Sequence, residues 1–429
     1  MAQRRVLLLS NGHGEDLSGA LIADALKRRG VTVLALPLVG HGQPYRRRGI
    51  TVLGRTRSFS TGGLGFTSLA GQIRELLEGQ TLHVILQLAQ LPWRGRDADL
   101  VVAVGDVVAV LGSWLAGRPA AVYLVAYSSH YEGRLRLPWP CGWLLRSRRI
   151  RAIWARDRLS AEDLSCQLGR SLSFLGNPFL DAVLAHPAAS LEAVATPAAP
   201  GPTGPERWGA PQRLLLLPGS RLPEAEHNLA LLLLLLPRLA SRLQRPQHLL
   251  TSAALVQDLR PQVALQLAAP LGWHRLPVSG ATGGLVLGHA CGLVLELAWS
   301  GFARQLAAAD LLLAMAGTAT EQAVGLGKPV LQLVGRGPQF TAGFAEAQRR
   351  LLGPAVVCAS EEPGSPACLE ATAELAAELL RRLADPVLGP ALRDQLSRAA
   401  VQRIGAAGGS ERLATAIMDL LAPRSGATA

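Results

Sequence analysis

Lysine is almost absent from this chain of 429 residues, because Lys27 and Lys328 are its only lysines and arginine carries the basic charge. Acidic residues are also few, and 43 Lys and Arg against 31 Asp and Glu give a formal net charge of +12. Arginine grips phosphate groups as a planar fork and suits an anionic lipid surface, although a biased codon composition explains the excess equally well.

Aromatic residues contribute 4% of the chain and charged residues 17%, whereas hydrophobic residues contribute 49%. This balance excludes a disordered or fibrous protein. The length exceeds what one hydrophobic core usually supports, so the chain is expected to form two domains.

Cysteine is scarce, odd in number and never arranged as Cys-x-x-Cys. The five cysteines are Cys141, Cys166, Cys291, Cys358 and Cys368. A disulfide framework or a structural zinc site is therefore not expected, and we interpret them as reduced thiols of a cytoplasmic protein. The apolar run at residues 6–9 is short and polar residues follow it, so no signal peptide is predicted.

Long apolar runs are missing as well. Residues 229–236 are too few to cross a bilayer and are stopped by Pro237. Residues 278–302 are long enough, but they contain six glycines, His289 and Glu296. A strand, a glycine turn and a helix explain this stretch better than a membrane span.

The chain instead repeats one pattern, in which a short apolar run is followed by an amphipathic stretch. Strands are predicted at residues 6–10, 31–37, 100–104, 122–126, 152–155, 214–217, 249–252, 311–315 and 330–334. Helices are predicted at 17–29, 69–77, 229–243, from Thr318, and at 392–421 with a break at 405–409. This alternation predicts an α/β protein with parallel sheets covered on both faces.

The composition also predicts the domain boundaries. Residues 187–211 are rich in Pro, Ala and Gly and have few large apolar residues, which is typical of a linker. We expect one Rossmann-like doubly wound domain at 1–186 and a second at 212–390. The helices of 391–429 would then be free to pack back on the first domain.

A glycine-rich turn, residues 10–19, follows the first predicted strand. Its Gly-x-Gly spacing misses the dinucleotide pattern Gly-x-Gly-x-x-Gly, and the second strand ends without an acidic residue for a ribose, so an NAD-dependent dehydrogenase is not expected. His13 and Glu15 in this turn are candidates for a general base. The alternative is that the turn only caps the helix, through Ser10, Asn11 or Asp16.

Asp106 follows Gly105 directly after the predicted strand 100–104. Because the carboxyl ends of parallel strands meet at one edge, Asp106 is expected to open on the same crevice as His13. A carboxylate there would orient the imidazole and keep it a base near neutral pH. The alternative is again a helix cap.

Two further turns are expected in the second domain. Gly219 and Ser220 offer a backbone N–H and a hydroxyl, and Arg221 offers a bidentate fork, a combination that suits a diphosphate.

The other turn precedes a predicted helix. Gly317 permits close approach of the backbone to a ligand, and Thr318 and Thr320 present hydroxyls. Glu321 is a candidate to accept hydrogen bonds from the hydroxyls of a ribose. A capping box between Thr318 and Glu321 is the alternative, and it is compatible with binding.

These turns resemble lipid-A-disaccharide synthase. The matching residues are Leu-Pro-Gly-Ser-Arg at 217–221 with Glu224, Ala309-Asp310 leading to Gly317-Thr-Ala with Glu321, Lys328-Pro329, Leu-Gly-Asn-Pro-Phe-Leu-Asp at 175–181 and, more loosely, residues 12–19. The resemblance implies a GT-B fold, two Rossmann-like domains facing a cleft. It also implies an inverting transferase without metal or cofactor, which moves an acylated glucosamine from UDP to a lipid-linked sugar phosphate at the inner face of the membrane.

The resemblance also implies residue roles. Gly219, Ser220 and Arg221 would meet the diphosphate with Gly317 and Thr318 nearby, and Glu321 would hold the ribose. Asp106 lies near the family's essential aspartate, but the Asp-Phe-Asn context is absent.

Two departures from the family pattern follow. Gln339 stands where the family has an asparagine. His13 is foreign to the synthase loop and is typical of other GT-B enzymes. The chain is therefore identified as a divergent relative. The alternatives are a UDP-sugar epimerase and a non-catalytic nucleotide-sugar-binding protein.

Two segments, 45–66 and 134–151, place arginines beside aromatic and apolar side chains. In the second these are Trp139, Trp143, Leu144 and Leu145. This combination predicts contact with an anionic membrane, and hence a peripheral protein at the inner face of the cell membrane. Nucleic acid is the rival partner, but no nucleic-acid module is recognisable. The remaining alternative is ordinary surface arginines around a buried tryptophan.

Overall fold

The computed structural model describes residues 4–57, 80–184, 211–277, 284–335, 341–359 and 361–422. The chain forms two compact units, Met1–Ala182 with Ile404–Ala429 and Val183–Arg403. The predicted helix at 69–77 and nearly all of the predicted linker lie outside the described residues.

The first unit is built on a parallel sheet of seven strands in the order β3-β2-β1-β4-β5-β6-β7. Its strands are β1 Arg5–Ser10, β2 Thr32–Pro37, β3 Thr51–Val52, β4 Leu100–Val104, β5 Ala120–Leu124, β6 Ile150–Ala155 and β7 Ser173–Phe174. The direction in which strands are added reverses between β1 and β4, and such a point is where doubly wound sheets bind ligands.

Helices cover both faces of this sheet, so its strands are apolar on both sides. In β1, Leu7 and Leu9 enter one buried cluster while Val6 and Leu8 enter the other. The helices between residues 13 and 184 follow the strands of this sheet. They are α1 His13–Arg28, α2 Gln43–Arg46, α3 Gln80–Ala89, α4 Leu91–Arg94, α5 Val107–Leu115, α6 Ser129–Glu132, α7 Cys141–Leu145, α8 Arg158–Leu168 and α9 Pro178–Leu184.

The second unit contains an eight-stranded sheet in the order β10-β11-β12-β9-β8-β13-β14-β15. Its strands are β8 Gln212–Leu217, β9 Leu249–Ala254, β10 Trp273–Arg275, β11 Leu285–His289, β12 Val294–Ala298, β13 Leu311–Ala314, β14 Val330–Gln332 and β15 Val356–Cys358. Pairing is parallel except at β10-β11 and β11-β12. Strand order reverses between β8 and β13.

The helices that follow are α10 Glu224–Ala240, α11 Pro261–Ala268, α12 Phe302–Ala308, α13 Thr318–Gly325, α14 Ala342–Leu352, α15 Pro366–Ala384, α16 Leu388–Arg403 and α17 Gly409–Leu421. Within the described residues, 3-10 turns occur at Pro246–His248, Ala269–Leu271 and Gly353–Ala355. The two sheets and their helices confirm the prediction of two Rossmann-like α/β domains.

Two predicted elements differ from the structure. The region 284–302 is a hairpin of β11 and β12 followed by α12, whereas a strand, a turn and a helix were expected. The reason is tertiary, because β12 pairs in parallel with β9 and so extends the sheet. The first helix begins at His13, one turn before the predicted start, so the glycine-rich turn is largely helical.

Helix α10 continues through Pro237, in agreement with the helix predicted at 229–243. Proline removes the hydrogen bond to the carbonyl four residues earlier. Here Trp273 Nε1 donates to that carbonyl, Leu233 O, at 3.3 Å, so the lost bond is replaced by a tertiary one. No helix in the described part of the chain is long and apolar enough to cross a membrane.

The final helix, α17, belongs to the first unit and packs on α1. Its apolar side chains Leu413, Ala414 and Ile417 are buried in the same cluster as Val6 and Leu8. The break between α16 and α17 therefore carries the chain from the second unit to the first.

The segment 175–181 holds this returning helix. Asn177 Nδ2 donates to Ile404 O at 2.6 Å and to Arg156 O at 2.9 Å, and Tyr123 OH donates to Asn177 Oδ1 at 2.5 Å. Asp181 accepts from Gly408 N at 2.6 Å and from Ser410 N at 2.8 Å, and the Ser410 hydroxyl also donates to it. A carboxylate from α9 thus stabilises the start of α17.

Asp181→Ala should loosen α17, because it removes three acceptor contacts at the helix start. We expect a loss of about 2 kcal/mol, seen as roughly thirty-fold faster amide exchange along α17. Ser410→Ala, which removes only the hydroxyl bond, is the control and should have a smaller effect. Exchange in α17 as slow as in the wild type would show that Asp181 does not hold the helix.

Candidate functional site

The carboxyl edge of the first sheet brings two loops together where the strand order reverses. After β1, Asn11 and Gly12 lead into α1, and after β4, Gly105 and Asp106 lead into α5. Gly105 has φ +145°, and a Cβ placed on it would lie 3.3 Å from Glu15 Oε1. The carboxylate of Glu15 therefore packs directly against the loop that carries Asp106.

Asp106 is held by three hydrogen bonds. Its Oδ1 accepts from Val108 N at 2.9 Å and from Ala109 N at 3.3 Å, which caps α5. Its Oδ2 accepts from Asn11 Nδ2 at 2.9 Å. Burial raises the pKa of this carboxyl above its usual value, against the effect of these bonds. Asp106 is thus the helix cap considered as the alternative, and its second oxygen links the two loops.

The predicted pairing of His13 with Asp106 stays a prediction. His13 is the first residue of α1, and its side chain lies outside the described residues. The predicted capping of α1 is wrong, because the cap position is Gly12 and no side chain bonds there.

A buried polar chain fixes the first turn of α1. Tyr45 OH donates to Ser10 Oγ at 2.9 Å, and Ser10 Oγ donates to Asp16 Oδ1 at 2.6 Å. All three side chains are fully buried. A Cβ on Gly19 would lie 2.0 Å from Tyr45 OH, so only glycine leaves room for the phenol. Burial raises the pKa of Asp16 to about 7.

Tyr127 joins the same edge from β5, the strand next to β4. Its hydroxyl accepts from Val107 N at 3.0 Å, at the start of α5. Burial, followed by the charge of Asp106, raises its pKa. The sequence analysis did not predict the contacts of Tyr127 or the bond from Asn11 to Asp106. Both residues follow a parallel strand closely, and this position could have marked them as candidates for the site.

In the second unit, the loops after β8 and β13 touch at the corresponding edge. Gly219 has φ +110°, and a Cβ on it would lie 3.1 Å from Met315 O. Ser220 is exposed and Arg221 half-buried on this loop. The two turns predicted from sequence therefore lie side by side.

Asn228 of α10 contacts the loops after β8 and β14. It is almost fully buried, and its Nδ2 donates to Pro218 O at 2.8 Å. A Cβ on Gly335, after β14, would lie 2.9 Å from Asn228 Oδ1 and 2.8 Å from Met315 Cε, so a third loop closes on the same point. Asn228 was not predicted, because it is one of several polar residues in the first turns of α10 and no pattern singles it out.

Helix α13 starts at Thr318 without a side-chain cap, so the predicted capping box with Glu321 does not form. Thr320 is fully buried and donates to Ala316 O at 2.7 Å, so its hydroxyl points inward and is not presented at the helix start. Thr318 and Glu321 are half-buried in the first turn.

The cap residue Gly317 is held by a glutamine relay. Gln348 Nε2 donates to Gly317 O at 3.2 Å, and Gln332 Nε2 donates to Gln348 Oε1 at 2.6 Å. Both glutamines are buried. Because Gln348 binds the carbonyl of Gly317 and Gln332 orients Gln348, the start of α13 is held without a side-chain cap. Gln339 lies outside the described residues.

Within the described ranges, no three His, Cys, Asp or Glu side chains are grouped so that they could hold a metal ion.

No protein-family model and no curated protein matches the sequence. Solved structures are similar along the whole chain. They include a UDP-GlcNAc 2-epimerase from Neisseria meningitidis bound to UDP-GlcNAc (16% identity, TM-score 0.54, covering 97% of this chain and 100% of that one). MurG from Acinetobacter baumannii has 15% identity, a TM-score of 0.54 and coverages of 97% and 99%. The calicheamicin glycosyltransferase CalG4 has 19% identity, a TM-score of 0.56 and coverages of 99% and 100%.

At these identities the similarity shows the fold alone, which is that of the GT-B proteins with two Rossmann-like domains. The resemblance to lipid-A-disaccharide synthase has no support from a family model.

Asp16 makes stability depend on pH. Between its ordinary pKa of 3.8 and the raised value of about 7, the folded chain keeps a proton that the unfolded chain has lost. The stability from that proton is present at pH 4 and is lost as the pH rises to about 7. Roughly three pKa units at about 1.4 kcal/mol each mean that the advantage of Asp16→Asn over the wild type should grow by about 4 kcal/mol between pH 4 and pH 8. Urea unfolding at several pH values measures it, and a difference independent of pH would contradict it.

Gly219→Ala should weaken binding of UDP, the expected ligand, at least tenfold, because the added Cβ meets Met315 O and the backbone has a positive φ. Calorimetric titration measures it. The control is Gly292→Ala, where φ is +85° and a Cβ would meet open space, so it adds backbone strain alone. Equal losses in both variants would mean that Gly219 matters only for stability.

Proposed function

We propose that the chain is an inverting, metal-independent glycosyltransferase that moves a sugar from a UDP donor to a lipid-linked acceptor. One observation carries the donor half of the proposal. The turn at Gly219 lies against the carbonyl of Met315, three residues before α13 starts at Thr318 without a side-chain cap. Such a pair of turns offers backbone N–H groups to a diphosphate, and Arg221 adds a bidentate fork.

The similar solved structures support a nucleotide sugar as the ligand. One of them is described as bound to UDP-GlcNAc, and another, from S. aureus, as an MnaA–UDP co-structure. Since the turns after β8 and β13 sit at the switch point of their sheet, we place the diphosphate there and the ribose beside Glu321.

The polar residues of the first unit provide the acid–base part of the proposal. In this mechanism His13 or Glu15, on the first turn of α1, takes the proton of the acceptor hydroxyl, which then attacks the anomeric carbon. Asp106 orients the base and ties its loop to Asn11. UDP leaves on the opposite side, and its charge is stabilised by Arg221 and the start of α13.

An anionic membrane surface is proposed as the place of the acceptor, at the inner face of the cell membrane. Trp139 is 90% exposed and Trp143 is 63% exposed, beside exposed arginines of segment 134–151. Leu144 and Leu145, however, are buried in the core and face no membrane. In segment 45–66, Tyr45 is buried as well, and residues 58–66 lie outside the described part.

A second apolar surface in the first unit supports the same proposal. It is formed by the exposed side chains Leu82, Ile85, Leu86 and Trp93 of α3 and α4. The spacing of Leu82, Ile85 and Leu86 puts these three on one face of α3. The guanidinium of Arg96 stacks over Trp93 of α4 at 3.9 Å.

A UDP-sugar epimerase is the second candidate, because Glu15 and Asp106 place two carboxylates at one sheet edge and 2-epimerases share the fold. Such an enzyme would convert the UDP-sugar without an acceptor. A non-catalytic nucleotide-sugar-binding protein is the third, and it would bind UDP without turnover.

UDP should raise the melting temperature of the wild type by roughly 5 °C at a hundredfold excess over its Kd. Arg221→Gln should abolish most of this shift, because the bidentate fork is lost. The control is Arg381→Gln, an exposed arginine of the same unit that pairs with Glu378.

Turnover is then measured as UDP release from a panel of UDP-sugars, with and without a membrane lipid extract. Release that requires the extract, and that falls at least a hundredfold in Glu15→Gln or His13→Ala, supports the transferase. Conversion of the sugar without extract supports the epimerase, and a UDP shift without turnover supports the binding protein. No shift with UDP would refute all three.

A further inference from the structure

A cavity of about 810 Å³ in the first unit lies between the loop 134–137, helix α7 and the end of helix α8. Its lining combines two kinds of side chain. The guanidinium-bearing residues are Arg134, Arg136 and Arg146, and the apolar ones include Leu135, Leu137 and Leu168.

The wall of this cavity is fixed by Asp163 and Gln167 of α8. Asp163 Oδ2 accepts from Leu135 N at 2.6 Å, and its Oδ1 accepts from Gln167 Nε2 at 2.8 Å. Gln167 Nε2 also donates to Leu135 O at 2.9 Å, and Arg146 donates to Gln167 O at 2.7 Å. The loop backbone is therefore clamped on both its N–H and its C=O, and the cavity keeps its shape.

The arginines of this cavity have spare donors. Burial opposes ionisation of Asp163, but it is outweighed by the hydrogen bonds from Leu135, Gln167 and Ser129. The charge of Arg134 adds a smaller effect in the same direction, so the pKa of Asp163 is lowered. That carboxylate is thus charged and occupied by other donors. Among the described residues, no ion pair joins Arg134, Arg136 or Arg146 to a carboxylate. Three guanidinium groups over leucine side chains favour a ligand that is both anionic and apolar.

Two exposed tryptophans are close in sequence to residues that line the cavity. Trp139 follows Leu137 by two residues and is 90% exposed, and Trp143 follows the lining residue Gly142 and is 63% exposed. Tryptophan with one apolar face and one polar edge prefers the level of lipid headgroups.

We propose that this cavity binds the phosphate headgroup of an anionic lipid, with Arg134, Arg136 and Arg146 around the phosphate and the leucines against the glycerol. The proposal rests on the membrane contact included in the proposed function, and it names the site of that contact. It requires a defined, saturable site, whereas a diffuse basic surface would need only net charge.

The test compares two variants with the same loss of charge. Arg134→Gln with Arg136→Gln removes two guanidinium groups from the cavity. Arg148→Gln with Arg151→Gln removes two exposed arginines of the same segment that do not line it. Sedimentation with phosphatidylcholine vesicles containing phosphatidic acid measures the affinity, and thermal unfolding without lipid checks that both variants fold.

We expect the cavity variant to bind these vesicles at least tenfold more weakly than the wild type, and the control variant no more than threefold more weakly. Equal losses would overturn the proposal in favour of a diffuse charge effect. Titration with short-chain dihexanoyl phosphatidic acid should saturate at one molecule per chain, at least tenfold tighter than inorganic phosphate. Equal affinity for inorganic phosphate would overturn the lipid assignment.

The melting-temperature shift caused by UDP separates this proposal from the proposed function. It should be unchanged in the cavity variant, because the UDP turns belong to the other unit. A normal vesicle result without any UDP shift would refute the transferase and leave the lipid site standing.

Discussion

Parallel pairing of strands is the constraint on which both halves of this molecule depend. A parallel strand cannot be followed by a tight turn, so the chain must cross over one face before the next strand begins. All crossovers then leave from the same edge of the sheet, and the loops converge where the strand order reverses. That point lies between β1 and β4 in the first unit and between β8 and β13 in the second.

The two units exploit this edge with different chemistry. In the first, side chains occupy it: Asp106, Asn11 and Glu15 lie together, and burial raises the pKa of Asp106. In the second, the backbone occupies it, because Gly219 brings one loop onto the carbonyl of Met315 beside an uncapped helix start. Titratable groups suit proton transfer, and oriented N–H groups suit a diphosphate. Each edge therefore suits one part of the proposed reaction.

Sequence patterns predicted what depends on short-range order. Nine buried strands, the turn at Gly219 and the position of Asp106 after a buried strand were predicted, because apolar runs and glycines act locally. The short strands β3, β7, β10 and β15 were not predicted, since two or three residues carry no periodic pattern. Partners chosen across the fold were not. The alternative weighed for the turn at residues 10–19 was that Ser10, Asn11 or Asp16 caps helix α1. Ser10 instead hydrogen-bonds Asp16 and Tyr45. Asn228 and Gln348 belong to helices whose sequence pattern gives no reason to single out one amide.

The segment 175–181 shows how a motif noticed by resemblance gains a physical role. Asn177 and Asp181 hold the start of α17, and α17 packs on α1, whose first turn carries Glu15. The ion pairs of Glu411 with Arg28 and Arg29 are exposed at this contact, so they contribute little. The buried side chains Leu413, Ala414 and Ile417 supply most of its stability. The helix that carries the proposed base, α1, is therefore supported by α17. We expect a change that loosens α17 to loosen α1 as well, and so to affect the position of Glu15.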